Sequence, residues 1–273
     1  MRRPGRAPGL SAAIQVACVA SALLARSACA LRSLPRTVIG GYSSWGFCNE
    51  TTMLSEARDG VNVIWWFASN LNPSGINPPV DLDCVANVSR ALREAGLPTL
   101  HIHSIGGWDA PHPQNYSDAG EMYAQWKAWN TAVVARPGLE TGFDGVDWDL
   151  EGNDAMSSEW NAMSVKTLDL VGGFSTLAKR DGYLVTLVPC ESYLDPSTPL
   201  FSRNLTFAYP DGWQPNFLYH GRNNYAYLVS RYGLSYLPDG QPVPTFDAVT
   251  IQLYESYSHA DYNTSVLKQS PVD

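Results

Sequence analysis

The chain has 273 residues, 45% of them hydrophobic and 16% charged, with a formal net charge of −8. That is ample for one well-buried core. No basic run follows the first few residues, which argues against a nucleic-acid partner and against a stable partner in an anionic membrane surface.

The first element in chain order is a targeting segment. Arg2, Arg3 and Arg6 form a positive start, residues 10–24 are apolar and rich in Ala and Val, and Ala28-Cys29-Ala30 supplies small residues for cleavage. Residues 1–30 therefore read as a signal peptide and 31–273 as the domain that is secreted. A luminal or signal-anchored product is the alternative, although the apolar stretch is short for a membrane span. Acceptor sequons at Asn49, Asn87, Asn115, Asn204 and Asn263 agree with export and are expected in exposed connections. Beyond the signal segment only Cys48, Cys84 and Cys190 remain. Cys48 and Cys84, in loops near the first two strands, are the candidate disulfide, which leaves Cys190 unpaired.

Strand-like and helix-like patterns then alternate. Short buried strands are expected at 37–41, 61–68, 99–105, 145–151, 183–189 and 248–254. Helical stripes lie between them: Val85, Val88 and Leu92 up to Gly96; Met122, Trp126, Trp129 and Val133; and Val165, Leu168, Val171, Phe174 and Leu177 up to Gly182. Repeated strand–helix units imply an α/β fold with a parallel sheet, and their even spacing suits a (β/α)8 TIM barrel. An open sheet would carry a Gly-rich phosphate turn after the first strand, and Gly40-Gly41-Tyr42 is not one. Residues 192–244, rich in Pro, Asn and Tyr, read as a loop-rich insertion with one weak helix near 224–231. Six strands are counted, so the expectation is a barrel truncated after its sixth strand.

Residues 143–152 read Phe-Asp-Gly-Val-Asp-Trp-Asp-Leu-Glu-Gly. On a strand, Asp147, Asp149 and Glu151 project from one face, about 7 Å apart, while Val146, Trp148 and Leu150 project from the other. Carboxylates so close in a buried setting cannot all ionise, so at least one is expected to keep its proton near neutral pH. Acid-catalysed bond cleavage needs such a group. A calcium loop would place its acids among Gly and Asn in a turn, without Val, Trp and Leu between them. In a barrel the chemistry sits at the C-terminal strand ends, where Glu151 falls.

Asp144-Gly-Val-Asp147-Trp-Asp149-Leu-Glu151 resembles the Asp-x-x-Asp-x-Asp-x-Glu signature of glycoside hydrolase family 18, the chitinases and endo-β-N-acetylglucosaminidases. Ser104-Ile-Gly106-Gly107 is similar to the Ser-x-Gly-Gly motif of that family's third strand. Gln252-Leu-Tyr254-Glu255 resembles its sixth-strand motif, with Glu255 where Asp or Asn is usual. The runs 63–68 and 41–45 match its second and first strands, so the likeness spans roughly residues 37–256 in order. It implies that Glu151 is the general acid, Asp149 the group that orients a substrate acetamido N–H, and Asp147 a proton partner of Asp149. It also implies that Tyr254 holds the acetamido carbonyl, and that the substrate's own acetamido oxygen is the nucleophile. Asp144, on the other strand face, is expected to be structural.

Tyr42, Trp45 and Trp108 fall at strand ends and are candidates for stacking on sugar rings, with Gln252 and Glu255 beside them and plain core packing as the alternative for each aromatic. Trp65 and Trp66 face opposite ways within a strand and are expected to pack. His101 and His103 read as satisfied core imidazoles, with one sugar-facing histidine as the alternative. No Cys/His spacing suggests a metal, and no cofactor is expected. Three functions compete: a secreted hydrolase of chitin or another N-acetylglucosamine oligosaccharide, an endo-β-N-acetylglucosaminidase on N-glycans, and a non-hydrolytic chitin-binding lectin.

Overall fold

The computed structural model describes residues 32–43, 45–108, 110–152, 154, 163–194, 224–254, and 264, 267, 268 and 270. The signal segment, Glu255, and the sequons at Asn204 and Asn263 lie outside them.

Six strands form one sheet: β1 (Gly40–Tyr42), β2 (Val63–Ser69), β3 (Leu100–Gly107), β4 (Gly145–Leu150), β5 (Leu184–Leu187) and β6 (Ala248–Val249). All neighbours are parallel, and the order in space is the order in sequence. Helices α1 (Glu50–Arg58), α2 (Leu82–Glu94), α3 (Ala119–Trp129), α4 (Val165–Arg180) and α5 (Asn224–Tyr232) fall in turn between successive strands. Parallel strands laid down in sequence order curl toward a barrel. Contacts across the sheet show the curl directly. The Trp65 indole of β2 donates to Thr186 of β5 at 3.1 Å, and the Tyr42 hydroxyl of β1 donates to Asp147 of β4 at 3.1 Å. Neither pair lies on adjacent strands. The architecture is a six-stranded partial (β/α) barrel, as the sequence implied.

Alternation along each strand divides the core in two. Val63, Trp65, Ile102 and Leu184 pack inside the curl. Val146, Trp148 and Leu150 face outward and pack with Met122, Trp126, Val171 and Phe174 of α3 and α4. Trp66, Trp126 and Trp148 are fully buried, and truncating such a ring to Ala costs about 3–5 kcal/mol.

Local signals explain the helices. Asp81 caps α2 by accepting from the Asp83 N–H at 2.9 Å, and Val85, Val88 and Leu92 are buried as their spacing implies. Ser164 caps α4 through the Thr167 N–H, and Gly182 follows its end with φ +86°. The stripe on α3 needs one correction, since Val133 is half exposed and Val134 is fully buried. Residues Asn130–Val134 form a π-turn, closed by the Ala135 N–H on the Asn130 carbonyl, and the wider turn moves the buried face on by one residue. Two hairpins, Leu71–Asn72 with Gly75–Ile76 and Leu234–Tyr236 with Pro242–Pro244, were not anticipated; the second lies within the segment expected to be loop-rich.

The lower, N-terminal ends of the strands carry a repeated device. Asn62, Asp144 and Asp247, each just before β2, β4 or β6, accept the N–H of Ile39, His101 and Val185 at 3.0, 2.9 and 2.9 Å. The main-chain oxygens of Asn62 and Asp144 also accept from Leu100 and Leu184 on the other side. One residue thus ties three strands in register.

Cys48 and Cys84 form a disulfide between the approach to α1 and helix α2, and Cys190 is a buried thiol whose Sγ lies 3.7 Å from Gln252 Oε1. Asn49 caps α1, whereas Asn87 lies inside α2 rather than in a connection, which corrects the expectation for that sequon. Among the described residues no helix is long and apolar enough to cross a membrane.

Candidate active site

β4 places Asp147 and Asp149 inside the curl, with Glu151 just past its upper end; all three are buried. In-register neighbours set their surroundings: Ser104 and Thr186 flank Asp147, and Gly106 flanks Asp149. Asp147 accepts from the hydroxyls of Ser104 at 3.0 Å, Tyr42 at 3.1 Å and Thr186. Because the Trp65 indole donates to Thr186, the Thr186 hydroxyl proton is directed at Asp147. Burial pushes the Asp147 carboxyl up to about 6 against those three hydrogen bonds.

Asp149 turns the other way. Its Oδ1 accepts from the Gln252 amide at 2.9 Å, and the same nitrogen lies 3.0 Å from Glu151 Oε1 and 2.8 Å from the Val188 carbonyl. Burial first, then the charges of Glu151 and Asp147, and a hydrogen bond shared with Glu151 hold Asp149 well above the usual carboxylate range. Buried side by side on one amide, Asp149 and Glu151 cannot both carry a charge without a large cost. Three hydroxyls compete for Asp147 with its expected partner Asp149, which nonetheless feels its charge.

Gly106 and Gly107 have a steric reason. A Cβ on Gly106 would stand 2.0 Å from the Asp149 carbonyl oxygen, and φ is +114°. At Gly107 it would meet the Phe67 ring at 2.7 Å, again at positive φ. β3 can approach the acidic strand only as glycine.

Tyr42, Phe67, Asp149, Val188, Gln252 and Tyr254 line a cavity of about 270 Å³ at the upper ends of the strands. Tyr254 is 57% exposed there. Tyr42 offers less ring than expected, since one face stacks on Trp65 at 5.0 Å. Trp45 is 65% exposed with its edge against Phe67, and Trp108 is 45% exposed. A larger cavity, about 610 Å³, opens at the lower ends beside Asn62, Arg93, Thr99 and Asp144. Its charged groups are already matched, Arg93 with Glu140 and Asp144 with Arg32. Asp144 is thus a floor residue, pushed up by burial and held back by the His101 N–H and Arg32. His101 and His103 face the helices, accept indole N–H groups from Trp66 and Trp126, and are pulled by burial down to about 4 and about 3. Among the described residues no cluster of three or more ligating side chains is arranged for a metal ion.

Sequence reasoning missed three side chains that hold the main chain around Glu151. The Leu150 N–H donates to the Tyr225 hydroxyl at 2.7 Å, and the Gly152 N–H to the Tyr193 hydroxyl at 3.1 Å. His112 Nε2 lies 2.7 Å from the Glu151 carbonyl oxygen and its Nδ1 2.8 Å from Asp154. They come from α5, the turn after β5 and the loop after β3, and no motif in the sequence joins them.

No protein-family model matches the chain, and no curated protein matches it by sequence. Solved structures do. The C-terminal domain of ChiA from Legionella pneumophila has a TM-score of 0.48 at 17% identity, over 80% of this chain and 58% of that one. The catalytic domain of a family GH18 chitinase from the fern Peteris ryukyuensis has 0.47 at 15%, over 85% and 76%. A chitinase from Rhizomucor miehei has 0.46 at 14%, over 80% and 57%. The chain spans less than two thirds of the first and third of these.

Proposed function

We propose that the chain belongs to glycoside hydrolase family 18 and is a secreted enzyme that cleaves β-1,4-linked N-acetylglucosamine polymers with retention at the anomeric carbon. One observation carries the reading: Asp149 Oδ1 and Glu151 Oε1 both lie on the one Gln252 amide nitrogen, at 2.9 and 3.0 Å. Carboxyls that flank a glycosidic bond stand about 5–5.5 Å apart when one is the nucleophile, and about 6.5–9.5 Å apart when one activates water across the ring. Two carboxyls bridged by a single amide nitrogen leave no space for a sugar between them. The nucleophile then has to come from the substrate, and a 2-acetamido oxygen is suitably placed to supply it.

The residues take roles accordingly. The substrate acetamido N–H occupies the lone pair of Asp149, so the proton of the pair is left on Glu151. Glu151 gives it to the glycosidic oxygen as the C1–O bond breaks, and the acetamido oxygen closes on C1 to form an oxazolinium ion. Tyr254 holds that oxygen, and Asp149 faces the positive charge. Water, deprotonated by Glu151, then opens the ring from the same side the leaving group left. Tyr42, Trp45 and Trp108 supply the aromatic surface for neighbouring sugars.

The test is to incubate the protein with chitin oligomers and, separately, with a high-mannose glycoprotein, following anomeric configuration early by NMR. Cleavage of the oligomers with retained configuration is expected. Inverted product refutes the mechanism; cleavage of the glycoprotein alone makes it an endo-β-N-acetylglucosaminidase; chitin binding without cleavage of either makes it a lectin.

A further inference from the structure

We propose that His112 is a positioning residue for Glu151, gripping the acid's own peptide carbonyl as a doubly protonated imidazolium; the catalytic half of this rests on the hydrolase reading above. The ring is 3% exposed and both its nitrogens face oxygen. Nε2 lies 2.7 Å from the Glu151 carbonyl, which can only accept, and Nδ1 lies 2.8 Å from Asp154 Oδ1. Asp154 has no proton to offer. It already accepts from the Ser164 N–H at 2.9 Å and the Thr167 hydroxyl at 2.9 Å. Burial works against its charge, but the hydrogen bonds from His112 and Ser164 outweigh it and keep the carboxyl below its ordinary range. Either neutral tautomer would set a ring lone pair against an oxygen lone pair, so both nitrogens carry protons.

The other two described core histidines show the contrast. His101 and His103 each receive an indole N–H at Nδ1, a geometry that requires a bare nitrogen there. Among the described residues no indole donates to His112. Among the described residues Asp154 is the charged group against the ring, and the segment after β2 that shares a cavity of about 330 Å³ with it brings Asn70, Asn72, Ser74 and Asn77. Tyr193 on the Gly152 N–H holds the same peptide that His112 grips, and Tyr225 on the Leu150 N–H holds the peptide before Leu150. Asp154 links the same ring to the cap of α4 through Ser164. The acid is thus referenced to a helix terminus rather than to a free loop, which matters because misplacement by about 1 Å can cost about a hundredfold in rate.

Two substitutions separate positioning from packing. In His112→Gln the amide nitrogen takes the place of Nε2 and keeps the bond to the Glu151 carbonyl. In His112→Asn it takes the place of Nδ1 and keeps only the bond to Asp154. On chitotetraose the Gln variant should retain kcat within about 3-fold, and the Asn variant should lose about 10-fold or more, with KM within about 2-fold for both. Equal losses that follow the melting temperatures of the variants would overturn the assignment. Nitrogen-15 spectra of labelled histidine in the wild type should show protons on both nitrogens of one ring that is lost in His112→Gln. A singly protonated ring there would overturn the clamp whether or not the protein cleaves sugar. Absence of turnover in the wild type, with that ring doubly protonated, would sink the hydrolase reading and leave a structural clamp without a positioning role.

Discussion

The two ends of β4 both bury carboxyl groups, yet they settle them in opposite ways. At the lower end Asp144 has a guanidinium and a peptide N–H. At the upper end Asp147 has three hydroxyls, and Asp149 has an amide and a second carboxyl. Burial raises the carboxyls at both ends. Below, a cation and a main-chain donor support the charge, and the group can serve architecture. Above, donors without charge leave a proton as the means of relief, and a retained proton is what acid catalysis uses.

Four substitutions or titrations bear on that contrast. Glu151→Gln should lower kcat about a thousandfold, while calorimetry finds the affinity for chitotetraose within a few-fold; wild-type turnover would end its assignment as the acid. Asp149→Asn removes both the carboxyl beside Glu151 and the acetamido acceptor, and kcat should fall about a hundredfold. Asp144→Ala should give the reverse signature. It leaves the His101 N–H without its acceptor, so urea unfolding should show a loss of about 1–3 kcal/mol, with kcat per folded molecule unchanged; a large kcat loss without a stability loss would erase the distinction between the ends. The smallest effect is on the pH profile of stability. Asp147 has a folded value of about 6 against an ordinary value of 3.8, so the stability it lends in its neutral form is complete below about 4 and is lost as pH rises through about 6. Calorimetric melting temperatures should decline over that window in the wild type and decline less in Asp147→Asn.

Much of this was legible in the sequence where one local rule governs one element. The alternation of Asp147, Trp148, Asp149 and Leu150 assigned faces correctly because the strand is regular and buried on both sides. The stripe on α2 was legible for the same reason, and so was that on α4 apart from Val165, which is exposed at the first turn. Helix α1 was not, since only Met53 and Ala57 along its nine residues are buried and no stripe results. The Val133 expectation failed because a π-turn changes the period within one helix. His112, Tyr193 and Tyr225 were invisible for a deeper reason: they bind main-chain atoms around Glu151, and a peptide group carries no sequence signature of what will bind it. The three hydroxyls on Asp147 come from β1, β3 and β5 and meet at one carboxylate, which needs the curl to be known.

The floor ties at Asn62, Asp144 and Asp247 make β4 behave like a reading frame. Asp144 fixes where counting begins, and each later residue alternates between the inside of the curl and the helix side. One residue inserted between Asp144 and Asp147 would send Asp147 and Asp149 toward the helices and bring Trp148 inward, so the strand tolerates no change of length. Connections beyond Glu151 stand outside that count. They can lengthen, shorten or be exchanged for others, and with them substrate range can drift, while the spacing that brings the acids together stays anchored from the opposite end of the barrel.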